Sequence, residues 1–132
     1  MRLKIITQER IVFDDEVDEI YTRGIDGEFG ILKDHIPVMN ALDIGVTRAK
    51  KGNSTKYFTT MGGILQFKDD ECIILTSIAE QGEEIDELRA KDALERALQR
   101  QREAKTRIDA KRADAAIARA KARLKAKLNE VE

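Results

Sequence analysis

The sequence predicts an α+β fold, in which an N-terminal antiparallel β-sandwich is followed by a C-terminal two-helix hairpin. All eight glycines, the single proline and all six aromatic residues lie within the first 82 of the 132 residues. The remaining residues are rich in Ala, Arg, Lys, Glu and Leu, which are the strongest helix formers. We therefore place a domain boundary after Gly82, with a β-sandwich domain over residues 1–82 and a helical domain over residues 83–132.

Each strand of the first domain is predicted from an apolar stretch between turn signals. The stretches recur at a spacing of roughly 8–12 residues, which is typical of a small sandwich. Single strands are expected in LKIITQ, RIVFDD and EVDEIYTR, and GIDGEFGIL is expected to be a glycine-punctuated loop that leads into a strand. Two hairpins follow, GVTRAKKGNSTKYFTTM turning at Gly52-Asn53 and ILQFKDDECIILTSIA turning at Asp69-Asp70. So small a domain has a limited core, and its apolar edges are expected to need a neighbour.

The second domain shows two apolar stripes with helical spacing. They comprise Ala90, Ala93, Leu94, Ala97 and Leu98, and then Ala113, Ile117, Ala120, Leu124, Leu128 and Val131. The stretch QREAKTRID interrupts the period, so we expect a hairpin that turns near Thr106–Asp109. Alanine faces bury little area, and the turn has neither Gly nor Pro to enforce it. Two interpretations remain open: a static hairpin docked on the sandwich, or a switch that straightens into one long helix.

The helical domain is strongly basic in its central part. Residues 96–127 contain 12 basic and 3 acidic side chains, and several basic residues repel each other at i,i+4 spacing. Such a run is compatible with a solvated face, an acidic protein surface, a nucleic-acid backbone or a bound phosphate. Nucleic acid is disfavoured, because this half has no aromatic residue for base stacking and the pI is about 6.0.

Signals of catalysis are weak. His35 and Cys72 are the only histidine and cysteine, so neither a histidine-based metal cluster nor a Ser-His-Asp triad is predicted. Cys72 lies in an apolar strand and is interpreted as a core residue. Gly24, Gly27 and Gly30 do not have the spacing of a dinucleotide fingerprint. We predict no catalytic residue and no metal ligand, and we expect a soluble chain without a membrane span.

Four segments resemble a known family in order and spacing. They are GEFGILKDHIPVMNAL, GGILQF with the hairpin after it, the dipeptide AE that ends in Glu80, and IDELRA. Because these segments match in order and spacing, the chain resembles, over its whole length, the epsilon subunits of bacterial F-type ATP synthases. One departure is LKDHIP, where relatives often have a Pro-Gly pair before the histidine.

The resemblance implies a non-catalytic subunit of the central stalk. The sandwich would contact the gamma subunit and the c-ring, with Glu28 and His35 near the ring. The extended helices would meet the alpha and beta subunits and inhibit ATP hydrolysis. The chain would then lie peripherally at the cytoplasmic face of the bacterial inner membrane, in a proton- or sodium-translocating complex. The alternatives are a purely structural coupling subunit and a free-standing nucleotide-binding module or nucleic-acid adaptor.

The resemblance also implies a regulatory ATP site in the compact hairpin. The family's I/L-D-x-x-R-A motif is intact from Ile85 to Ala90. Apolar side chains would contact the adenine, carboxylates would accept hydrogen bonds from the base or ribose, and arginines would bind the phosphates. The implied ATP-binding residues are Glu80, Ile85, Asp86, Arg89, Ala90, Arg96, Arg119 and Arg123. Whether Mg²⁺ accompanies the ATP is left open.

Overall fold

A computed structural model describes residues 1–129 of the chain. Within these residues the chain forms eight strands, one 3₁₀ turn and two helices, and Val131 of the second predicted stripe lies outside them. The strands are β1 Arg2–Ile6, β2 Ile11–Glu16, β3 Glu19–Gly24, β4 Gly27–Ile31, β5 Val38–Lys51, β6 Ser54–Lys68, β7 Glu71–Leu75 and β8 Ala79–Gln81. The 3₁₀ turn is Gly82–Glu84, and the helices are α1 Glu87–Glu103 and α2 Arg107–Leu128.

The strands hydrogen-bond in the order β2-β1-β7-β6-β5-β3-β4, with β8 paired to β6. Every pair is antiparallel except β1 with β7, whose strands run parallel. The core consists of large apolar side chains with no exposed surface, including Leu3, Ile5, Ile20, Ile31, Phe58, Leu65 and Ile74. The predicted fold class, a β-sandwich followed by two helices, is confirmed.

Both predicted hairpin turns are present. Gly52-Asn53 joins β5 to β6, and Asp69-Asp70 joins β6 to β7. Asp69 and Asp70 have φ angles of 51° and 60°, which are unusual for residues other than glycine but tolerated by Asp.

The predicted strand boundaries around Gly62 and Gly63 are wrong. TTM and ILQF were expected in separate strands, whereas β6 runs through both glycines without interruption. Their φ angles of 75° and 111° let the strand bend instead of ending. A Cβ atom on Gly63 would also lie 2.0 Å from the carbonyl oxygen of Leu75, so glycine is required where β7 ends. The strand β5 likewise begins at Val38, earlier than the predicted Gly45.

The two helices begin at polar capping residues. Asp86 accepts a hydrogen bond from the Arg89 amide at 3.1 Å, and Thr106 accepts one from the Asp109 amide at 3.0 Å. Because Thr106 caps α2, Asp109 belongs to the first turn of that helix. The connection is therefore residues 104–106, and the predicted turn near Thr106–Asp109 is placed too late.

The helix α2 lies between the sandwich and α1. Its residues Ala122 and Ala126 pack with Val46 of β5, Ile85 and Ala90, so one apolar cluster joins both domains. The stripe positions Ala97, Ala113, Ile117 and Ala120 are also buried. Leu128 is an exception, because 42% of its surface is exposed. Within residues 1–129, neither helix has the length and apolar character needed to cross a membrane.

Candidate functional site

A pocket of about 450 Å³ opens where the two domains meet. One wall comes from the end of the sandwich and the 3₁₀ turn, a second from the first turns of α1, and a third from α2. Its volume falls within the range of small-molecule sites. The lining residues are Glu80, Glu84, Ile85, Asp86, Arg89, Ala90, Asp92, Arg96 and Arg123.

Glu80 is held in the pocket by β8 and links the sandwich to α2. Its amide donates to Thr59 Oγ1 at 3.1 Å, across the β6–β8 pair. Its carboxylate oxygen Oε1 accepts from Arg123 Nε at 2.8 Å. Both side chains are partly exposed, at 34% for Glu80 and 27% for Arg123. The ion pair therefore joins the sandwich to α2 in the compact arrangement, while part of each side chain remains exposed to the pocket.

The start of α1 provides the central part of the site. Asp86 uses one oxygen to cap the helix, and this places Ile85 and Ala90 as buried apolar groups beside the opening. Arg89, Asp92 and Arg96 follow at spacings of three and four, so they lie on the same face of α1. The motif that the sequence singled out is thus a helix start whose side chains converge on one space.

The pocket combines four carboxylates with three guanidinium groups. The Arg123 side chain is paired with Glu80, whereas no ion-pair partner of Arg89 or Arg96 is found among residues 1–129. The lining as a whole carries a formal charge of −1, so an anionic group would be bound locally, by Arg89 and Arg96. The nearby apolar groups suit a ligand that also has an apolar part. In the same residues, no group of three or more His, Cys, Asp or Glu side chains is placed to hold a metal ion.

Seven of the eight residues implied as an ATP site line this one pocket. The exception is Arg119, which is half-buried one helical turn before Arg123 and is not part of the lining. Two lining residues, Glu84 and Asp92, were not foreseen. Acidic residues near a helix start are common because they complement the helix dipole, so the sequence contained no signal that marked them.

Glu28 and His35 are placed in different surroundings. The Glu28 carboxylate accepts from Arg48 Nη2 at 2.8 Å, and it lines a second cavity of about 310 Å³ between the sandwich and α2. His35 lies in the loop between β4 and β5, with its ring edge-on to Phe67 at a centroid distance of 6.0 Å. The structure does not bring these two residues into one site, and their role at a ring stays a prediction.

Family models match both domains of the chain. The model of the ATP synthase delta/epsilon chain beta-sandwich domain matches residues 1–82, and that of the delta/epsilon chain long alpha-helix domain matches residues 83–127. The chain belongs to the ATP synthase delta/epsilon chain family. The ATP synthase epsilon chain of Syntrophobacter fumaroxidans is 42% identical over 125 residues, covering 95% of this chain and 93% of that one. The ATP synthase epsilon chain of Desulforamulus reducens is 38% identical over 125 residues, covering 95% of both.

Solved structures share the fold of this family member at lower identity. A chain in the cryo-EM structure of the Euglena gracilis mitochondrial ATP synthase, comprising OSCP, F1 and c-ring, matches with a TM-score of 0.81 and 23% identity. The match covers 97% of this chain and 78% of the Euglena chain. A chain in the central stalk and c-ring structure from Tetrahymena thermophila has a TM-score of 0.69 and 15% identity, with coverage of 96% and 95%. At these identities the similarity shows the fold alone.

Proposed function

We propose that this chain is a non-catalytic epsilon subunit in the central stalk of a bacterial F-type ATP synthase, and that its helical hairpin is an ATP-dependent regulator. The sandwich would couple the gamma subunit to the c-ring. The compact hairpin would bind ATP, and the extended hairpin would inhibit ATP hydrolysis. The observation that carries the regulatory part is the convergence of Glu80, Arg96 and Arg123, from three separate elements, on one pocket.

The pocket has side chains suited to the adenine of ATP and others suited to its phosphates. The buried Ile85 and Ala90 offer an apolar surface for adenine. The guanidinium groups of Arg89, Arg96 and Arg123 can form charge-assisted bonds to phosphate oxygens. In this way ATP would provide a partner for Arg89 and Arg96, for which no ion pair is found among residues 1–129.

ATP can favour the compact arrangement only because that arrangement assembles the pocket. Arg123 on α2 meets Arg96 on α1 and Glu80 on the sandwich only while α2 is docked. Ligand at about 100 times its dissociation constant stabilises the state it binds by about 2.7 kcal/mol. This is enough to shift the balance between two states by about a hundredfold.

An apolar surface on the sandwich supports the coupling role. Ile11 pairs with Ile6, Ile6 with Leu75, Leu75 with Ile64, and Ile64 with Ala41, so one row crosses five strands on the same face of the sheet. Ile11, Leu75 and Ile64 are 58%, 52% and 47% exposed. A row of exposed aliphatic residues is typical of a protein interface. We assign it to the contact with the rotor, through which the chain would sit peripherally at the cytoplasmic face of the membrane.

Calorimetric titration of the full chain with ATP tests the regulatory role. We expect saturable binding, and a loss of affinity of about tenfold or more in Arg96→Ala and Arg123→Ala, because each removes a charged bond to phosphate. Arg107→Ala is the matched control, since Arg107 is an exposed arginine of α2 outside the pocket. Absence of any heat at millimolar ATP, or equal affinities for all four proteins, contradicts the ATP site.

A purely structural coupling subunit is the second candidate, and one observation favours it. Arg123 already pairs with Glu80, and Asp86 already caps α1, so these residues stabilise the compact chain without a ligand. Truncation after Gly82 separates the two candidates in the assembled enzyme. The regulatory proposal expects faster ATP hydrolysis after truncation, whereas the structural candidate expects unchanged hydrolysis and unchanged coupling.

A further inference from the structure

Gly82 is buried beneath the C-terminal part of α2, where the two domains meet. A Cβ atom on Gly82 would lie 2.3 Å from the carbonyl oxygen of Ala126 and 2.9 Å from its carbonyl carbon. Both are backbone atoms, so no rotation of a side chain can relieve the overlap. The helix α2 can therefore occupy its docked position only because residue 82 has no side chain.

The backbone of Gly82 does not itself require glycine. Its φ angle lies outside the left-handed region that Gly52, Gly62 and Gly63 occupy. An alanine at this position is therefore compatible with the local conformation of the chain and would restrict the unfolded state in the usual way. The main obstacle is the close approach of α2, because the next backbone atom, the carbonyl oxygen of Tyr57 in β6, would lie 3.3 Å from the added Cβ. The substitution therefore opposes docking of α2 more than it disturbs β6.

Gly82 lies between the two polar contacts that fasten α2 to this segment. On one side Arg123 Nε donates to Glu80 Oε1 at 2.8 Å, and on the other Lys127 Nζ donates to the Glu83 carbonyl oxygen at 3.1 Å. Arg123 is also the residue that α2 contributes to the pocket. A shift of α2 away from Gly82 therefore withdraws Arg123 from the site.

We infer that Gly82 is a positioning residue for the pocket: by admitting the Ala126 backbone it sets the docked position of α2, and it thereby controls the affinity for a phosphate-bearing ligand without touching that ligand. The part that concerns ATP rests on the proposed function, whereas the part that concerns docking does not.

The test compares Gly82→Ala with Glu83→Ala in the full chain. Glu83 is the matched control, because it is the exposed next residue and contacts α2 through its carbonyl oxygen, which alanine retains. Spin labels on Lys68→Cys and Lys111→Cys, at two exposed positions, report the distance between the sandwich and α2 by pulsed electron resonance. Cys72 is buried and does not take up label.

Without ATP, we expect the docked distance to dominate in the parent chain and in Glu83→Ala, and to become a minor population in Gly82→Ala. The same distance distribution in all three proteins overturns the inference. Amide exchange in β1 and β7 is expected to be unchanged, since the backbone atoms that a Cβ on Gly82 would approach belong to α2 and β6. Loss of protection in those strands would mean that Gly82 is needed for the stability of the sandwich itself, which also overturns the inference.

Calorimetry with ATP on the unlabelled proteins completes the test. We expect about a tenfold loss of affinity in Gly82→Ala, the change that an overpacked contact of modest size produces. Full affinity in Gly82→Ala, despite a lost docked distance, overturns the positioning role. If the parent chain itself gives no heat with ATP while Gly82→Ala still loses the docked distance, the proposed ATP site fails and the docking role of Gly82 stands.

Discussion

The two domains differ in the side chains they bury. The sandwich encloses Phe58, Leu65, Ile74 and other large residues completely. The helical domain buries mostly alanine, and Ile117 is the only large side chain of α2 below a tenth exposed within residues 1–129. A buried alanine removes far less apolar surface from water than a buried phenylalanine does.

This difference explains how one chain can combine a stable sandwich with a helix, α2, that can undock from it. The sandwich is stabilised by its own core. Among residues 1–129, α2 contacts the sandwich and the 3₁₀ turn through a small apolar cluster to which it contributes Ala122 and Ala126, through the ion pair with Glu80 and through the hydrogen bond to the Glu83 carbonyl oxygen. We therefore expect that a ligand or a partner can change the contacts between the domains while the sandwich stays folded.

The largest expected effect is the difference in Cys72 reactivity between the folded and the unfolded chain. Burial in the sandwich raises the pKa of this thiol from 9.0 to about 12. At pH 8 the reactive thiolate is therefore about a thousandfold scarcer than in an unfolded chain. We expect alkylation of the folded chain to be slower by at least this factor than alkylation in urea, as measured by mass spectrometry. Because the thiol lies in the sandwich, undocking α2 by Gly82→Ala is expected to leave the rate low; rapid alkylation of that variant contradicts the independence of the two domains.

Removal of a large side chain from the sandwich is expected to have the next largest effect. Phe58 is fully buried and packs edge-on against Phe13 at a centroid distance of 5.0 Å. We expect Phe58→Ala to lower the free energy of unfolding by about 3–5 kcal/mol in urea titrations. Leu88→Ala is the control, since Leu88 is 73% exposed on α1, and it is expected to change the same quantity by less than about 0.5 kcal/mol. Similar losses in the two variants argue against the sandwich as the main source of stability.

Loss of a helix cap is expected to affect only the helical domain. Asp86→Ala removes the acceptor for the Arg89 amide, which costs about 1 kcal/mol of helix stability. We expect lower helical content on heating, by circular dichroism without ATP, and an unchanged unfolding transition of the sandwich. Glu95→Ala, at an exposed position within α1, is the control and is expected to melt like the parent chain.

The smallest predicted effect concerns a lining residue that the sequence did not reveal. Asp92 shares a face of α1 with Arg89 and Arg96, and the negative charge of its carboxylate would repel a phosphate bound to them. We expect Asp92→Asn to bind ATP about two- to fivefold more tightly by calorimetry, because the repulsion is removed; the gain is small because an exposed charge acts through a high dielectric. Weaker binding in Asp92→Asn would mean that this carboxylate contacts the nucleotide or an associated cation.

The sequence predicted the parts of the fold that depend on local chemistry. The turns at Gly52-Asn53 and Asp69-Asp70 follow from residues that accept positive φ angles. The parallel pairing of β1 with β7 and the short strand β8 could not be predicted, because they depend on contacts between distant segments. The continuity of β6 was missed, since a pair of glycines is as compatible with a bend in a strand as with its end.

The site was predictable to the extent that a motif marks it. The resemblance supplied Ile85, Asp86 and Arg89, and the structure places them around one opening. Arg119 and Arg123 are separated by one helical turn and have similar sequence surroundings, so only the docked position of α2 shows that Arg123 lines the pocket. The same holds for Gly82, whose importance arises from the Ala126 backbone and not from its neighbours in sequence.

Hydrogen exchange of the full chain with and without ATP tests most directly whether the helical domain is a separate, ligand-controlled unit. We predict that saturating ATP slows exchange in the 3₁₀ turn, α1 and α2, and leaves β1 to β7 unchanged. Equal exchange in both conditions, or slowing spread evenly over the sandwich and the helices, would contradict the view that the helical domain is a separate unit controlled by ATP.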